Sequence, residues 1–311
     1  MAPMSRSGVR VIDPILTNQV RGYRQAGLVG HHLFPSVDVT QSAGKVIEFG
    51  KEDFMLYNAR RAAGGATKRI EFGYEGKPFA MVQDSLESKV PREFVRDGQV
   101  PGIDLGLRAS VKCMNALQLT LEYEQAKLAT EPTNYSADNS ELLAGSSQWS
   151  HADSKPVQAI DAARQKIRKT CGLYPNVLVC GPTAYASLKS NAQVIGRFRN
   201  TDLITAEMLA ALLEIDKVVE GAAVYADQLG VFHDVWGNSA VLAYAPKEPG
   251  GVEEPSYGYT YTLTGHPLVE EPYPDNNTKS WIYGVTYERA PVLAGLQAGY
   301  LFRNPSINPA A

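Results

Sequence analysis

The chain is poor in cysteine: Cys113, Cys171 and Cys180 are the only three in 311 residues. None forms a CxxC pair and the number is odd, which argues against a disulfide framework or a zinc knuckle. Three reduced, mostly buried thiols are expected. Long apolar runs are missing too. No stretch approaches the roughly 18–20 residues that a membrane helix needs. The opening MAPMSRSGVRVIDP lacks the apolar core of a secretory signal. No membrane partner is expected, and the chain reads as cytoplasmic where it is made. Nor is there a strong charge of one sign: 30 Lys/Arg stand against 33 Asp/Glu, a net −3. A sequence-reading nucleic-acid binder usually carries a pronounced basic stripe, and this chain does not.

The motifs of common chemistries are also missing. VLVCGPTAYASL reads as strand, turn and helix, a place where phosphate binds. It lacks GxGxxG and GxxxxGK[ST], and Pro182 removes a backbone donor, so it reads as a structural turn. His31 and His32 are adjacent, and on an extended chain they would point to opposite sides, a poor metal pair. His233, Asp234 and His266 fall in loop-like sequence. There is no GxSxG elbow and no HExxH. Spacing alone leaves open a Ser-His-Asp site assembled in space. The acidic pairs Glu253-Glu254 and Glu270-Glu271 sit in Pro-rich segments and read as solvated surface rather than facing catalytic carboxylates. The expectation is no catalytic residue, no metal and no cofactor: not an enzyme.

What is present is ordinary globular composition, 44% hydrophobic and 20% charged. The charge is unevenly placed. Residues 1–112 hold 16 Lys/Arg and 12 Asp/Glu, and the remainder 14 and 21. This suits a basic part that meets an acidic surface, a second copy of the chain included. Chance segregation of surface charge is the plain alternative.

Along the chain, residues 1–44 are broken by Pro and Gly and read as an arm, with a short helix after Asp13-Pro14. KVIEFG (45–50) and TKRIEFGYEG (67–76) read as two strands, the second with Ile70, Phe72 and Tyr74 on one face. Gly64-Gly65 turns between them, so the segment is a long basic ribbon. DLGLRASVKCMNALQLTLEYEQAKLA (104–129) is the clearest helix, capped by Asp104. Leu107, Val111, Met114, Leu117, Leu121 and Leu128 form its apolar stripe. Arg108, Lys112, Asn115, Gln118, Glu122 and Gln125 are expected on its polar side. Helices over 154–170, capped by Ser154, over 181–191 and over 205–215 surround a buried strand, PNVLVC. GAAVYA, SAVLAYA and the closing SWIYGVTYERAPVLAGLQAGYLF read as strands.

This order of parts resembles the major capsid proteins of tailed phages, the lambda-type (phage capsid protein E) family in particular. RRAAGGATKRIEFGYEGKPF is similar to the family's E-loop, where an Arg, a Gly-Gly-x-Thr turn, an aromatic, Gly-Tyr and Lys-Pro recur in that order. PNVLVCGPTAYASLK is similar to the A-domain strand, Pro and helix unit. ERAPVLAGLQAGYLF is similar to the last strands. The resemblance covers nearly the whole chain from about residue 10. It implies an α+β fold of the tailed-phage and herpesvirus major capsid type. Its parts would be an N-arm (1–44), an E-loop hairpin (45–97), a P-domain with spine helix and sheet (98–154), an A-domain (155–277), and strands returning to the P-domain (278–311).

It further implies a head-shell protein of the virion, made in the host cytoplasm. Hexamers and pentamers would close an icosahedral shell around double-stranded DNA without reading its sequence. A separate scaffolding protein, a portal and a decoration protein are the implied partners. The E-loop would lie over a neighbouring subunit through Arg60, Arg61, Gly64, Gly65, Lys68, Arg69, Phe72 and Tyr74. Glu253, Glu254, Glu270 and Glu271 are the acidic candidates to meet it. The covalent Lys–Asn bond of some relatives is not carried over: Lys68 and Lys77 are present, but no partner Asn is marked. An encapsulin-type compartment shell is the nearest alternative, although encapsulins usually begin with a helix. A soluble hydrolase with an unrecognised site is the alternative from another class.

Overall fold

A computed structural model describes residues 16–17, 27–46, 56, 60–61, 67, 69, 78–98, 104–198, 203–247 and 255–307. The chain enters through a 3-10 turn, Gly30–His32, and strands β1 (Ser36–Val39) and β2 (Ala43–Lys45). After residues 47–77 come β3 (Pro78–Ala80) and β4 (Val82–Pro91). A short helix, Arg92–Gly98, precedes the long helix Leu105–Thr130, and β5 (Ser140–Leu142) comes next. After the helix Pro156–Cys171 come β6 (Val177–Cys180), helices Pro182–Ser190, Ala192–Arg197 and Ala206–Leu213, and β7 (Lys217–Glu220). The closing strands are β8 (Val224–Ala226), β9 (Phe232–Asp234), β10 (Ser239–Ala243), β11 (Gly258–Leu263), β12 (Leu268–Val269), β13 (Tyr273–Asp275), β14 (Ser280–Leu293) and β15 (Gly299–Arg303).

Two sheets organise these elements. One is six-stranded, with order β1-β11-β14-β12 and with β4 and β13 also paired to β14. The other is five-stranded, with order β5-β15-β10-β6-β7. The helices Pro156–Cys171 and Ala206–Leu213 cover one face of the five-stranded sheet, where Ile160, Leu178, Leu209, Leu242 and Phe302 form a core. Its other face meets the C-terminal half of the long helix through Ala126, Ala129, Val179, Val241 and Leu301. The N-terminal half of the same helix packs on the six-stranded sheet, with Cys113, Met114 and Leu117 against Val285 and Tyr287. At about 1.5 Å per residue a 26-residue helix spans roughly 39 Å. That length lets one element join both sheets.

Local chemistry sets the helix ends. The Leu107 amide donates to Asp104 Oδ1 at 2.9 Å, the expected cap. The helix Pro156–Cys171 stops at Gly172, whose φ of 74° is the left-handed conformation that glycine takes most readily. Its start differs from expectation. Lys155 occupies the cap position, and Ser154 Oγ donates to the His151 carbonyl at 2.7 Å and accepts from Asn191.

The face of the long helix also needs correction. Met114 and Leu117 are buried, whereas Leu107, Val111, Leu121 and Leu128 are half-buried on its flank. Small residues, Gly106, Ala109, Ser110, Ala126 and Ala129, hold the centre. They allow the closest approach: a Cβ on Gly106 would lie 2.6 Å from the Tyr283 ring. Glu122 and Gln125, expected on the polar side, are buried instead. His31 and His32 are in a 3-10 turn with ring centroids 3.9 Å apart, not on extended chain. His233 and Asp234 are in β9, not in a loop. Cys113 and Cys180 are buried, Cys171 is half-buried, and all three are free thiols.

Candidate functional site

The strands that flank the expected basic ribbon form a short antiparallel ladder. Ala43, Gly44 and Lys45 pair with Ala80, Phe79 and Pro78. The Met81 amide donates to the Ser42 carbonyl at 2.8 Å and closes it. Phe79 lies 4.6 Å from the Tyr261 ring, and Val46 is buried beside Tyr259 and Tyr261. The base is therefore seated on β11. Farther out, Leu56, Arg60, Arg61, Thr67 and Arg69 are exposed. Gly64, Gly65, Lys68, Phe72 and Tyr74 lie outside the described residues, as does most of the two expected ribbon strands.

Beyond the ladder, β4 pairs with β14 from Val82↔Arg289 to Pro91↔Ser280. Arg289 secures this junction from inside. Its side chain is almost fully buried, and Nη1 donates to Asp84 Oδ2 at 2.7 Å. Nη2 donates to the Leu117 carbonyl at 3.3 Å and lies 3.7 Å from Glu124 Oε2. The guanidinium also sits 4.9 Å from the centre of the Tyr287 ring. One cation thus links β14, the strand leaving the ribbon and the long helix. Burial raises the Glu124 carboxyl above its ordinary range, although the Arg289 charge opposes the shift.

A second junction forms around Glu122. The amides of Val29 and Gly30 donate to its Oε1 at 2.9 and 3.0 Å, and Gly30 N also lies 2.9 Å from Oε2. The Trp236 indole donates to Oε1 at 2.7 Å. Gln125 Nε2 donates to Thr260 Oγ1 at 2.8 Å, which adds β11 to the cluster. Gly30 is required here: a Cβ would collide with Gln125 Oε1 and lie 2.9 Å from Glu122 Oε2. Burial raises the Glu122 carboxyl, while the Val29 and Gly30 amides and the Trp236 indole pull it the other way. Nearer the N-terminus, Val269 N donates to the buried Thr17 Oγ1 at 3.1 Å, tying Thr17 to β12.

Of the acidic candidates, Glu253 and Glu254 lie outside the described residues. Glu270 is half-buried and already bound within its own chain, where Thr286 Oγ1 donates to Oε1 at 2.7 Å. Glu271 is exposed. Among the described residues no three His, Cys, Asp or Glu side chains are grouped to hold a metal ion. His31, His32, Lys217 and Lys247 share a cleft of about 700 Å³ with Glu207 and Asp216, beside β7.

Sequence reasoning set Glu122 and Gln125 on the solvent side of the long helix and passed over Trp236, Asp84 and Arg289. Gly30 carried a faint signal, since a glycine opposite a helix marks close approach. Asp84 and Arg289 are 205 positions apart, and their pairing has no local signature.

The sequence model of the family described as phage major capsid protein E matches residues 112–256. The major capsid protein of Burkholderia phage BcepMu is 34% identical, with 95% of this chain and 97% of that protein covered. The crystal structure of a phage-related protein from Bordetella bronchiseptica RB50 is 46% identical, with a TM-score of 0.82, and 95% of this chain and 98% of that one covered. The capsid structure of Cyanophage P-SCSP1u has the same fold at 12% identity, with a TM-score of 0.58 over 97% and 93% of the two chains.

Proposed function

The chain belongs to the phage major capsid protein E family and is a structural protein of the phage head, and from that premise we propose how its copies join. The basic ribbon of one subunit lies over its neighbour and meets acidic surface there. The supporting observation is the seating of the ribbon. Its base is anchored to β11 by Phe79 and Val46, and β4 is locked to β14 by Arg289, while Arg60, Arg61 and Arg69 are exposed beyond. A two-stranded ribbon is marginal in water by itself and gains stability by lying on another surface. The Gly64-Gly65 turn gives it freedom to re-aim as subunits move.

The division into N-arm, E-loop, P-domain, A-domain and returning strands is part of this proposal. So are the spine-helix stripe as a folding core and the acidic partners Glu253, Glu254 and Glu271. Hexamers and pentamers form in the host cytoplasm around a separate scaffolding protein. The shell then encloses double-stranded DNA without sequence-specific contacts, and a portal completes it. No catalytic step is assigned to the chain. The near full-length kinship with a phage major capsid protein favours a phage head over an encapsulin-type compartment or a hydrolase.

Electron microscopy of the protein expressed with its neighbouring head genes tests the reading. Closed shells of many copies are expected. Only small soluble oligomers, under every salt and crowding condition, would overturn it.

A further inference from the structure

The hairpin β8–β9 forms a two-stranded sheet of its own. Its register pairs Val224 with Asp234, Tyr225 with His233 and Ala226 with Phe232. Side chains alternate along strands, so Tyr225 and His233 share one face while Val224, Ala226, Phe232 and Asp234 share the other. On the first face Tyr225 is half-buried, its ring meeting Tyr123 of the long helix edge-on at 5.0 Å, while His233 beside it is exposed. The second face and the tip hold large apolar side chains in water. Val224 is 46% exposed, Leu229 89%, Val231 51% and Phe232 73%.

This is a shaped element. Asp227 Oδ1 accepts from the amides of Leu229 and Val231 at 2.8 and 2.9 Å, and Oδ2 lies 3.1 Å from His233 Nε2. The Asp227 amide donates back to the Val231 carbonyl at 2.9 Å. Gly230 turns the tip with a φ of 81°. A two-stranded hairpin with no core of its own is thus held in one shape while it presents apolar surface, the mark of an interaction site.

We propose that this hairpin is a second contact between subunits, docking its apolar face on another copy of the chain. The inference rests on the shell reading. Charge selects the partner: residues 222–235 hold Asp227 and Asp234 and no Lys or Arg, whereas the basic excess of the chain lies in residues 1–112. Two hairpins facing each other would oppose like charges. The contact therefore joins the hairpin to a different patch of the next copy, a head-to-tail arrangement that makes a ring when the rotation between copies closes.

The test places the photoreactive p-benzoylphenylalanine at position 232, and separately at 229, in the full-length protein, and irradiates assembled shells. The expected result is a covalent dimer of this chain, identified by peptide mass spectrometry and missing from dissociated subunits. Shells that give no crosslink, or a crosslink solely to another head protein, would overturn the proposal. In parallel, Leu229→Ser with Phe232→Ser is expected to lower shell yield about tenfold or more. The thermal midpoint of the dissociated subunit should not move. Undiminished yield would refute the contact. Failure of the wild-type chain to form shells would instead strike at the shell reading itself.

Discussion

Trp236 donates its indole N–H to Glu122 Oε1 at 2.7 Å, so the chain just past the hairpin β8–β9 is tied to the middle of the long helix. The same oxygen takes the Val29 and Gly30 amides. Three distant segments thus converge on one buried carboxylate.

Glu122→Ala should therefore destabilise the dissociated subunit. Each buried donor left without a partner costs about 1–3 kcal/mol, offset in part by removal of a buried charge. Denaturant unfolding measures the loss. Combined with Trp236→Phe, the effects should be less than additive, because both remove the same hydrogen bond. Strict additivity would show that the junction does not act as a unit.

The same carboxyl predicts an unusual pH response. Burial raises it above its ordinary 4.5 in the folded chain. Between 4.5 and the raised value the folded state holds the proton more firmly than the unfolded state. Its contribution to stability therefore grows as pH falls through that window, and is lost as pH rises through it. The stability of wild type minus that of Glu122→Gln should increase on acidification toward pH 4.5. A difference that stays flat or shrinks would contradict the assignment.

Arg289 should respond asymmetrically. Removing both Asp84 and Glu124 leaves a buried guanidinium without a carboxylate, at a cost of about 3–5 kcal/mol. Arg289→Met removes the charge with the partners in place at the partly exposed end, and should cost less. Thermal unfolding of the three-residue set decides this, and the reverse order would sink the argument.

For the ribbon, Arg60→Glu with Arg61→Glu should leave the subunit folded and weaken shell formation. An exposed pair contributes only about 0.2–1 kcal/mol, but a shell repeats the contact in every subunit. Charge reversal at Glu253 and Glu254, or at Glu271, should partly restore yield. Reversal at Glu270 should not, because its carboxylate already holds Thr286. Sedimentation at low and high salt reads the outcome. Wild-type yield from the double variant in both conditions would remove the electrostatic part of the proposal.

How far the fold was legible depended on whether the signal was local. Asp104, the 3.6-residue spacing after it and Gly172 are local, and the elements they bound were readable. The centre of the long helix was not, because Gly106, Ala109 and Ala126 carry no hydropathic weight although they lie closest to the sheets. Of the apolar stripe, Met114 and Leu117 reach the core, and the other four mark the flank. Val82–Pro91 was hidden for another reason: polar and exposed along most of its length, it is a strand because β14 lies beside it. Glu122 looked like solvent-facing charge, since nothing near it in sequence announces the Val29 and Gly30 amides. In the candidate site, composition drew attention to the basic residues of 60–69, whereas the anchorage of the flanking strands by Phe79 and Arg289 depends on partners far along the chain.

The placing of the last two strands has a consequence for synthesis. β14 and β15 lie inside their sheets, β14 between β11 and β12 and β15 between β5 and β10. Asp84 must wait for a partner 205 positions later. At bacterial elongation rates that is on the order of ten seconds or more. Until residues 280–303 leave the ribosome, β4 has no β14 and β5 has no β15 to pair with. Both sheets of a nascent chain therefore lack an interior strand until the last part of the sequence has emerged.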